Sequence, residues 1–471
     1  MNMPNFLKSY SISRTIIVLA LTIAVYLIPA PEGLSQSGKN AIAALVFTTS
    51  IFTLQPVSLP FSSLLVSISL VFLGVADAQQ AFEPLSRPII ILILGSLFIA
   101  EAIRKHGISK RLALISITFS KGKTKNLLLG IMMITAFLSM WMENTATAAV
   151  LIPVVLTISN RISDPEKERE IKTLLIFGIA YAASLGGMAT IMGSASNAVA
   201  SGFIAEIQEM SFSKWAFYGL PSLIVLLPVT WLLILKMIPV STEVINIEEA
   251  KDELSKLGGP QREELEVGLT LSVTILLWVI GPYLESLLQL PVTLFSPAVI
   301  GILASTYLSV RGLIHWEDVQ GVSWGMFLTI SAGLAMGDAL IRTGASSWLM
   351  QLIKPLMVGP PVIVSLATII FVSALLTNVM NNATVVAIFA PIMLAIGASE
   401  AAFNPLQFII PLALATTFGY SLPSASGRMA LITSMGLIDR KQMLKIGLVT
   451  TIVSSILLVL LFYLFSVAGL I

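Results

Sequence analysis

Residues 141–153 read WMENTATAAVLIP, and a related run, VMNNATVVAIFAP, occupies 379–391. Each sets Asn and Thr in the middle of apolar sequence and ends on proline. Such groups are costly inside hydrocarbon unless they bind something or satisfy one another. The rest of the chain makes that depth real. Of its 471 residues, 56% are hydrophobic and only 11% charged, against about 25% charged in soluble domains. Runs such as TIIVLALTIAVYLIPA (15–30) and TIVSSILLVLLFYLFSVAGL (451–470) have the character of membrane-spanning helices. The chain therefore reads as an all-α polytopic membrane protein embedded in a lipid bilayer. It has no cysteine, which excludes disulfides and thiolate metal sites. The first apolar run lacks a small-residue cleavage site and is expected to be retained as a helix.

Lys and Arg set the expected orientation. Between Arg104 and Lys125 stand Lys105, Lys110, Arg111, Lys121 and Lys123, with no acid. The positive-inside rule makes that segment cytoplasmic. Four spans, near 15–30, 40–55, 59–76 and 86–103, lead back to a cytoplasmic N-terminus carrying Lys8 and Arg14. The C-terminus then falls outside, and the membrane is the plasma (inner) membrane.

An internal repeat organises the chain. LGSLFIAEAIRKHG (94–107) resembles SAGLAMGDALIRTG (331–344), an offset of 237 (344 minus 107). Asn144 falls on Asn382 and Pro153 on Pro391, an offset of 238 (382 minus 144). A third pair, GGMATIMGSASNAVA (186–200) and GYSLPSASGRMALI (419–432), follows in the same order. The polar stretch 239–265 reads as a cytoplasmic linker. Spans near 266–283 and 292–310 then place the span at 322–341 antiparallel to its partner at 86–103. The repeats are inverted, as in secondary transporters with a central site. The expected parts are N-terminal scaffold helices (1–123), a first transport half (124–238), the linker (239–265), C-terminal scaffold helices (266–344) and a second transport half (345–471).

In 124–160 two apolar arms of about 17 residues flank the tip Glu143-Asn144-Thr145, too short for comfortable spans. A hairpin that enters and leaves by the cytoplasm fits better. The second copy, with arms at 361–378 and 384–397, would enter from outside. In GGMATIMGSASN and SLPSASG, small residues and proline break a helix inside apolar sequence. The freed backbone groups must line a cavity or find partners. Helix N-termini there favour anions and exposed carbonyls favour cations. Two re-entrant hairpins and two broken helices thus converge on one place.

These motifs resemble the divalent anion/sodium symporters, carriers of dicarboxylates, tricarboxylates or sulfate, which bear Ser-Asn-Thr at two hairpin tips. MWMENTATAAVLIPV and AYAASLGGMATIMGSASNAVA carry the resemblance, and it extends over nearly the whole chain. It implies a homodimer working as an elevator-type transporter, with sodium as coupling ion and a small dianionic substrate between the tips. Carried onto this chain, it implies substrate contacts from Asn144, Thr145, Asn382 and Ser426, to which the chain's own chemistry adds Asn381, Thr384 and Arg428 as candidates. Sodium ligands would come from Asn144, Gly193, Asn197 and Asn382, with Glu143 added as a candidate on its own chemistry.

The chain departs from that pattern. Its tips read Glu143-Asn144-Thr145 and Asn381-Asn382-Ala383, and the second broken helix reads Ser426-Gly427-Arg428-Met429. A methionine cannot replace an amide oxygen at a hard cation. Arg428 could supply a fixed positive charge in place of an ion, or could belong to the basic loop with Arg440 and Lys441. Glu143 could be a cation ligand or proton carrier, or could face water at the tip. The expected activity is transport of di- or tricarboxylates such as succinate or malate, by sodium symport or anion exchange. Sulfate transport and cation/proton antiport are the alternatives. Glu101 and Asp338 occupy matching helix ends and read as anchors, His106 and His315 as interfacial, and Trp141 as hairpin packing. No H-E-x-x-H or G-x-S-x-G motif is present, and Gly337-Asp338 has no aspartyl partner at membrane depth. The chain reads as no enzyme, with no organic cofactor and no nucleic-acid partner.

Overall fold

A computed structural model of the chain describes residues 5–159, 162, 164–241, 244–289 and 293–471. Asn160, Thr242, Glu243 and Val292, which fall at or within expected element boundaries, lie outside the described residues. Among the described residues the regular structure is helical throughout, as apolar periodicity without strand alternation requires. Among the described residues six helices are long and apolar enough to cross a membrane, or seven if the bent pair Ala78–Ser86 and Pro88–Lys105 counts as one span.

The inverted repeat is visible in backbone detail. Helix Pro88–Lys105 and its counterpart Trp324–Arg342 are each followed by a left-handed glycine, Gly107 (φ 70°) and Gly344 (φ 74°), that caps the next helix. Only glycine takes that conformation without a steric cost. Each of the two repeat helices packs on a scaffold helix of the other half. Pro88–Lys105 meets Pro297–Val310, where a Cβ at Gly95 would stand 2.6 Å from the carbonyl carbon of Gly301. Trp324–Arg342 meets Leu59–Phe72, where the Ser63 and Thr329 hydroxyls lie 3.0 Å apart. Small residues let the backbones approach, and packing replaces the hydrophobic drive that lipid does not supply.

The anchors expected at the matching acids each meet an arginine. Glu101 accepts from Arg104 Nε at 2.8 Å, and Asp338 from Arg87 Nη2 at 2.8 Å. A buried carboxylate needs such a partner. His106 Nε2 lies 2.8 Å from the Leu313 carbonyl, and His315 starts a short helical turn, so both sit where loops join.

The segment 239–265, read as a plain polar linker, is more structured than that. It contains the helix Glu248–Leu257, and the following helix begins at Arg262, ahead of the expected 266. Lys110 reaches Glu253 at 2.9 Å, while Arg111 Nε meets Glu264 at 2.6 Å and its Nη1 donates to Gly258 O at 2.8 Å. Two of the acids in this stretch, Glu253 and Glu264, thus pair with the basic helix Ile108–Phe119 and hold the linker against the first half.

At the centre lies Pro165–Met188, whose apolar window is 94% buried, against 28% for the peripheral helix Arg262–Leu288. A helix apolar on every side belongs inside the protein. The first hairpin packs against this central helix.

Candidate functional site

The first hairpin consists of helices Thr124–Ser139 and Asn144–Ser159, and the second of Val362–Leu376 and Asn382–Ser399. The central helix Pro165–Met188 stops, and Ala195–Ile204 resumes after a gap at 189–194. In the second half Leu406–Ala415 ends in a 3₁₀ turn to Phe418, and Gly427–Ser434 resumes after a gap at 419–426. Each gap frees backbone carbonyls in an apolar interior, where every one must find a partner.

In the first half those partners come from the hairpin and from two asparagines. Ser139 Oγ donates to Ala183 O at 2.8 Å. The end of the Asn144 side chain stands 2.7 Å from Ser139 Oγ, 2.8 Å from Ala183 O and 3.1 Å from Gly193 O. With its nitrogen toward them these are hydrogen bonds; with its oxygen toward them, oxygens converge as around a hard cation. Asn197 Nδ2 donates to Gly187 O at 2.9 Å and Thr190 O at 2.7 Å, leaving its own Oδ1 buried without a partner.

The second half repeats the arrangement with one substitution of chemistry. Thr377 Oγ1 bonds the Asn382 amide and lies 2.7 Å from Thr416 O, as Ser139 does beside Asn144 and Ala183. Thr451 donates to Phe418 O at 2.9 Å. Arg428 takes the remaining carbonyls, donating from Nη2 to Thr417 O at 3.0 Å and Gly419 O at 3.5 Å. It is the second residue of its helix, as Ser196 is of the first, and Met429 stands where Asn197 supplies its amide. A guanidinium therefore does in one half what a neutral amide does in the other. Arg428 is only 2% exposed and its Nε has no partner, so it does not belong to the basic loop with Arg440 and Lys441.

Both halves face one cavity of about 540 Å³. Glu143, Asn144, Thr145 and Gly193 line it from the first half, and Asn381, Asn382, Ser426 and Arg428 from the second. The halves touch there, since a Cβ on Gly427 would lie 2.7 Å from Thr145 Oγ1. Scaffold residues Gln55, Leu59 and Met326 close another wall. Thr384 and Asn197 do not line it. Two residues past Asn382, about 200° round the helix, Thr384 points into the protein with an unpartnered hydroxyl. Asn197 stands behind the first gap, holding its carbonyls.

Glu143 does not simply face water. Its Oε1 accepts from Thr145 Oγ1 at 2.8 Å and its Oε2 from Ala146 N at 3.0 Å, capping the helix that begins at Asn144. At the equivalent tip Asn381 caps its helix by accepting from Ala383 N at 2.9 Å. Trp141 stacks on Phe212 behind the tip, a packing role. Ser139 and Thr377 are the partners that sequence reading missed. Their signal was available, a hydroxyl five residues before each tip asparagine.

The close approach at Gly193 carries a prediction. A Cβ there would lie 2.5 Å from Gly187 O and 2.7 Å from Ser139 O, both backbone atoms. Overpacking of this kind costs about 1–3 kcal/mol. Gly193→Ala should lower the melting temperature of the purified protein by several degrees. Gly259→Ala, with open space around it, should leave it unchanged. Equal melting curves for both variants would contradict the tight gap.

A family model described as the sodium:sulfate symporter transmembrane region matches residues 9–468. An uncharacterized transporter of Haemophilus influenzae is 29% identical over 437 residues, covering 91% of this chain and 92% of its own. The sodium-dependent dicarboxylate transporter SdcS of Staphylococcus saprophyticus is 26% identical over 484 residues, 97% of this chain and 92% of its own. In fold the chain is similar to the solved structure of MtrF from Neisseria gonorrhoeae, with a TM-score of 0.52 at 15% identity, over 98% of this chain and 94% of that one.

Proposed function

Because the chain belongs to the sodium:sulfate symporter family, we propose that it is a secondary transporter of small carboxylate anions of succinate or malate size. The observation that carries this reading is the pairing of two symmetry-related tips and two helix gaps around one cavity, with buried Arg428 on its wall. Helix N-termini and a guanidinium are suited to a carboxylate. The sodium-dependent dicarboxylate transporters among its relatives support the substrate class. In this reading the chain is a homodimer in the inner membrane, N-terminus inside and C-terminus outside. The hairpins and gapped helices move together as an elevator against the scaffold.

The cation reading rests on the orientation of the Asn144 amide. With its nitrogen toward Ser139 Oγ, Ala183 O and Gly193 O, hydrogen bonds suffice; with its oxygen toward them, four oxygens share the single Ser139 hydroxyl proton. A sodium ion among Ser139, Asn144 and Gly193 would satisfy those oxygens, which are the hard ligands it requires. In the second half Arg428 already supplies the positive charge on the carbonyls. The reading is therefore one coupled sodium at the first gap and a tethered cation at the second. The same arginine favours a second reading, anion exchange, in which no sodium gradient is needed.

Radiolabelled succinate uptake into proteoliposomes separates the two. Uptake into empty vesicles driven by an inward sodium gradient supports symport. Uptake only into sodium-free vesicles preloaded with unlabelled succinate supports exchange. If neither condition, with succinate or malate, gives uptake above empty liposomes, the carboxylate reading fails and sulfate is the next substrate to test.

A further inference from the structure

The helices Ala195–Ile204, resuming after the first gap, and Trp324–Arg342, from the scaffold, pack side by side. Each lines the cavity at its start, with Gly193, Ser194 and Ala195 on the one and Met326 and Thr329 on the other. Beyond the cavity the contact is closed. A Cβ on Gly333 would lie 3.2 Å from Val199 Cγ2, and a Cβ on Gly337 would fall on the Phe203 ring. Two side chains one helical turn apart thus sit in two glycine notches. Val199, Phe203 and Leu334 are fully buried. Asp338 stands nine residues past Thr329 (338 minus 329), about 13 Å further along the helix. There it accepts from Arg87 Nη2 at 2.8 Å, while Arg87 Nη1 lies 3.7 Å from Glu206. The two carboxylates hold this arginine unequally. Asp338 is 6% exposed and shares the scaffold with Arg87, whereas Glu206, its side chain 37% exposed, follows the gapped helix.

We propose that Phe203 in the Gly337 notch and Glu206 on Arg87 form a seal between the moving half and the scaffold, which parts in the transporter's alternate state. Asp338 keeps Arg87 compensated when Glu206 leaves, so opening strands no buried charge. A half-exposed pair at 3.7 Å is weak, as a contact made and broken in every cycle has to be. The notches exclude water and the ion pair acts as the latch. This rests on the elevator reading above and names the surface along which its two parts separate.

The chain has no cysteine, so an introduced thiol is its sole one. In the purified full-length protein, Phe203→Cys is labelled with a water-soluble maleimide, alone and together with Glu206→Gln. Loss of the latch should speed that labelling by about two- to fivefold, the range for an exposed ion pair. A buried reference thiol on the last helix, Ser455→Cys, should keep its own rate. Equal Phe203→Cys rates with and without Glu206→Gln, or the same acceleration at Ser455→Cys, overturns the proposal. Val199→Cys, close to isosteric, reads the same strip if Phe203→Cys does not fold. In proteoliposomes the pair Phe203→Cys and Gly337→Cys, joined as a disulfide, should cut succinate uptake at least tenfold, with recovery on reduction. Undiminished uptake by the oxidised pair overturns the seal while leaving carboxylate transport intact. If wild type takes up no succinate, the carboxylate reading falls, and labelling, which needs no substrate, still decides the seal.

Discussion

Asn144→Ala is expected to abolish anion uptake, by a hundredfold or more, while leaving a folded membrane protein. The Asn144 side chain is the link between the first hairpin tip and the first helix gap, reaching Ser139 Oγ, Ala183 O and Gly193 O within 3.1 Å. Truncation leaves Gly193 O without that partner, at about 1–3 kcal/mol for an unsatisfied buried group. It also removes an oxygen from the place proposed for the cation. The scaffold contacts through Gly95 and Gly301 lie elsewhere, so the fold should survive. Asn382→Ala removes the matching link to Thr377 and should behave alike. Uptake in proteoliposomes, with a monodisperse size-exclusion profile as control, checks both. Near-wild-type uptake in the two variants would dismiss the tips as the site.

Replacing Arg428 is expected to be as severe, and the choice of replacement tells why. Its guanidinium holds the Thr417 and Gly419 carbonyls and brings a full charge to the cavity. Arg428→Gln can still donate to a carbonyl but carries no charge. Arg428→Lys keeps the charge but places it as a point charge on a flexible stem instead of a planar guanidinium. If the charge matters, Gln should lose uptake by a hundredfold or more, equivalent to about 2.8 kcal/mol, and Lys should keep a measurable fraction. If Arg428 only plugs the gap, Gln should transport normally, and the tethered-cation reading is lost. A gain of sodium dependence in Arg428→Gln would be the strongest support, since an ion would then restore the missing charge.

The departures from the family pattern carry most of what distinguishes this chain. Met429 in place of an asparagine removes a donor to freed carbonyls, and Arg428, one residue earlier, covers them instead. Glu143 in place of a serine adds a charge that the helix N-terminus can hold. Both changes were visible as letters. Whether they faced the cavity, the loop or water was not.

The sequence by itself determined the all-helical membrane class, the inverted repeat, and the two tips and gaps as the polar places in an apolar chain. Those features are local: runs of hydropathy, helix-breaking residues, and offsets that can be counted along the chain. Only the tertiary structure decided which oxygens meet. Ser139 finds Ala183 across 44 residues and Thr377 finds Thr416 across 39. It also turned Thr384 and Asn197 away from the cavity and folded Glu143 back onto its own helix. It drew Glu253 and Glu264 of the linker onto Lys110 and Arg111. Each outcome depends on the rotation of one helix against another at the point where it breaks. That rotation is set by the packing of distant residues, such as the close approaches at Gly187 and Gly193, and not by the neighbours of the residue in the chain.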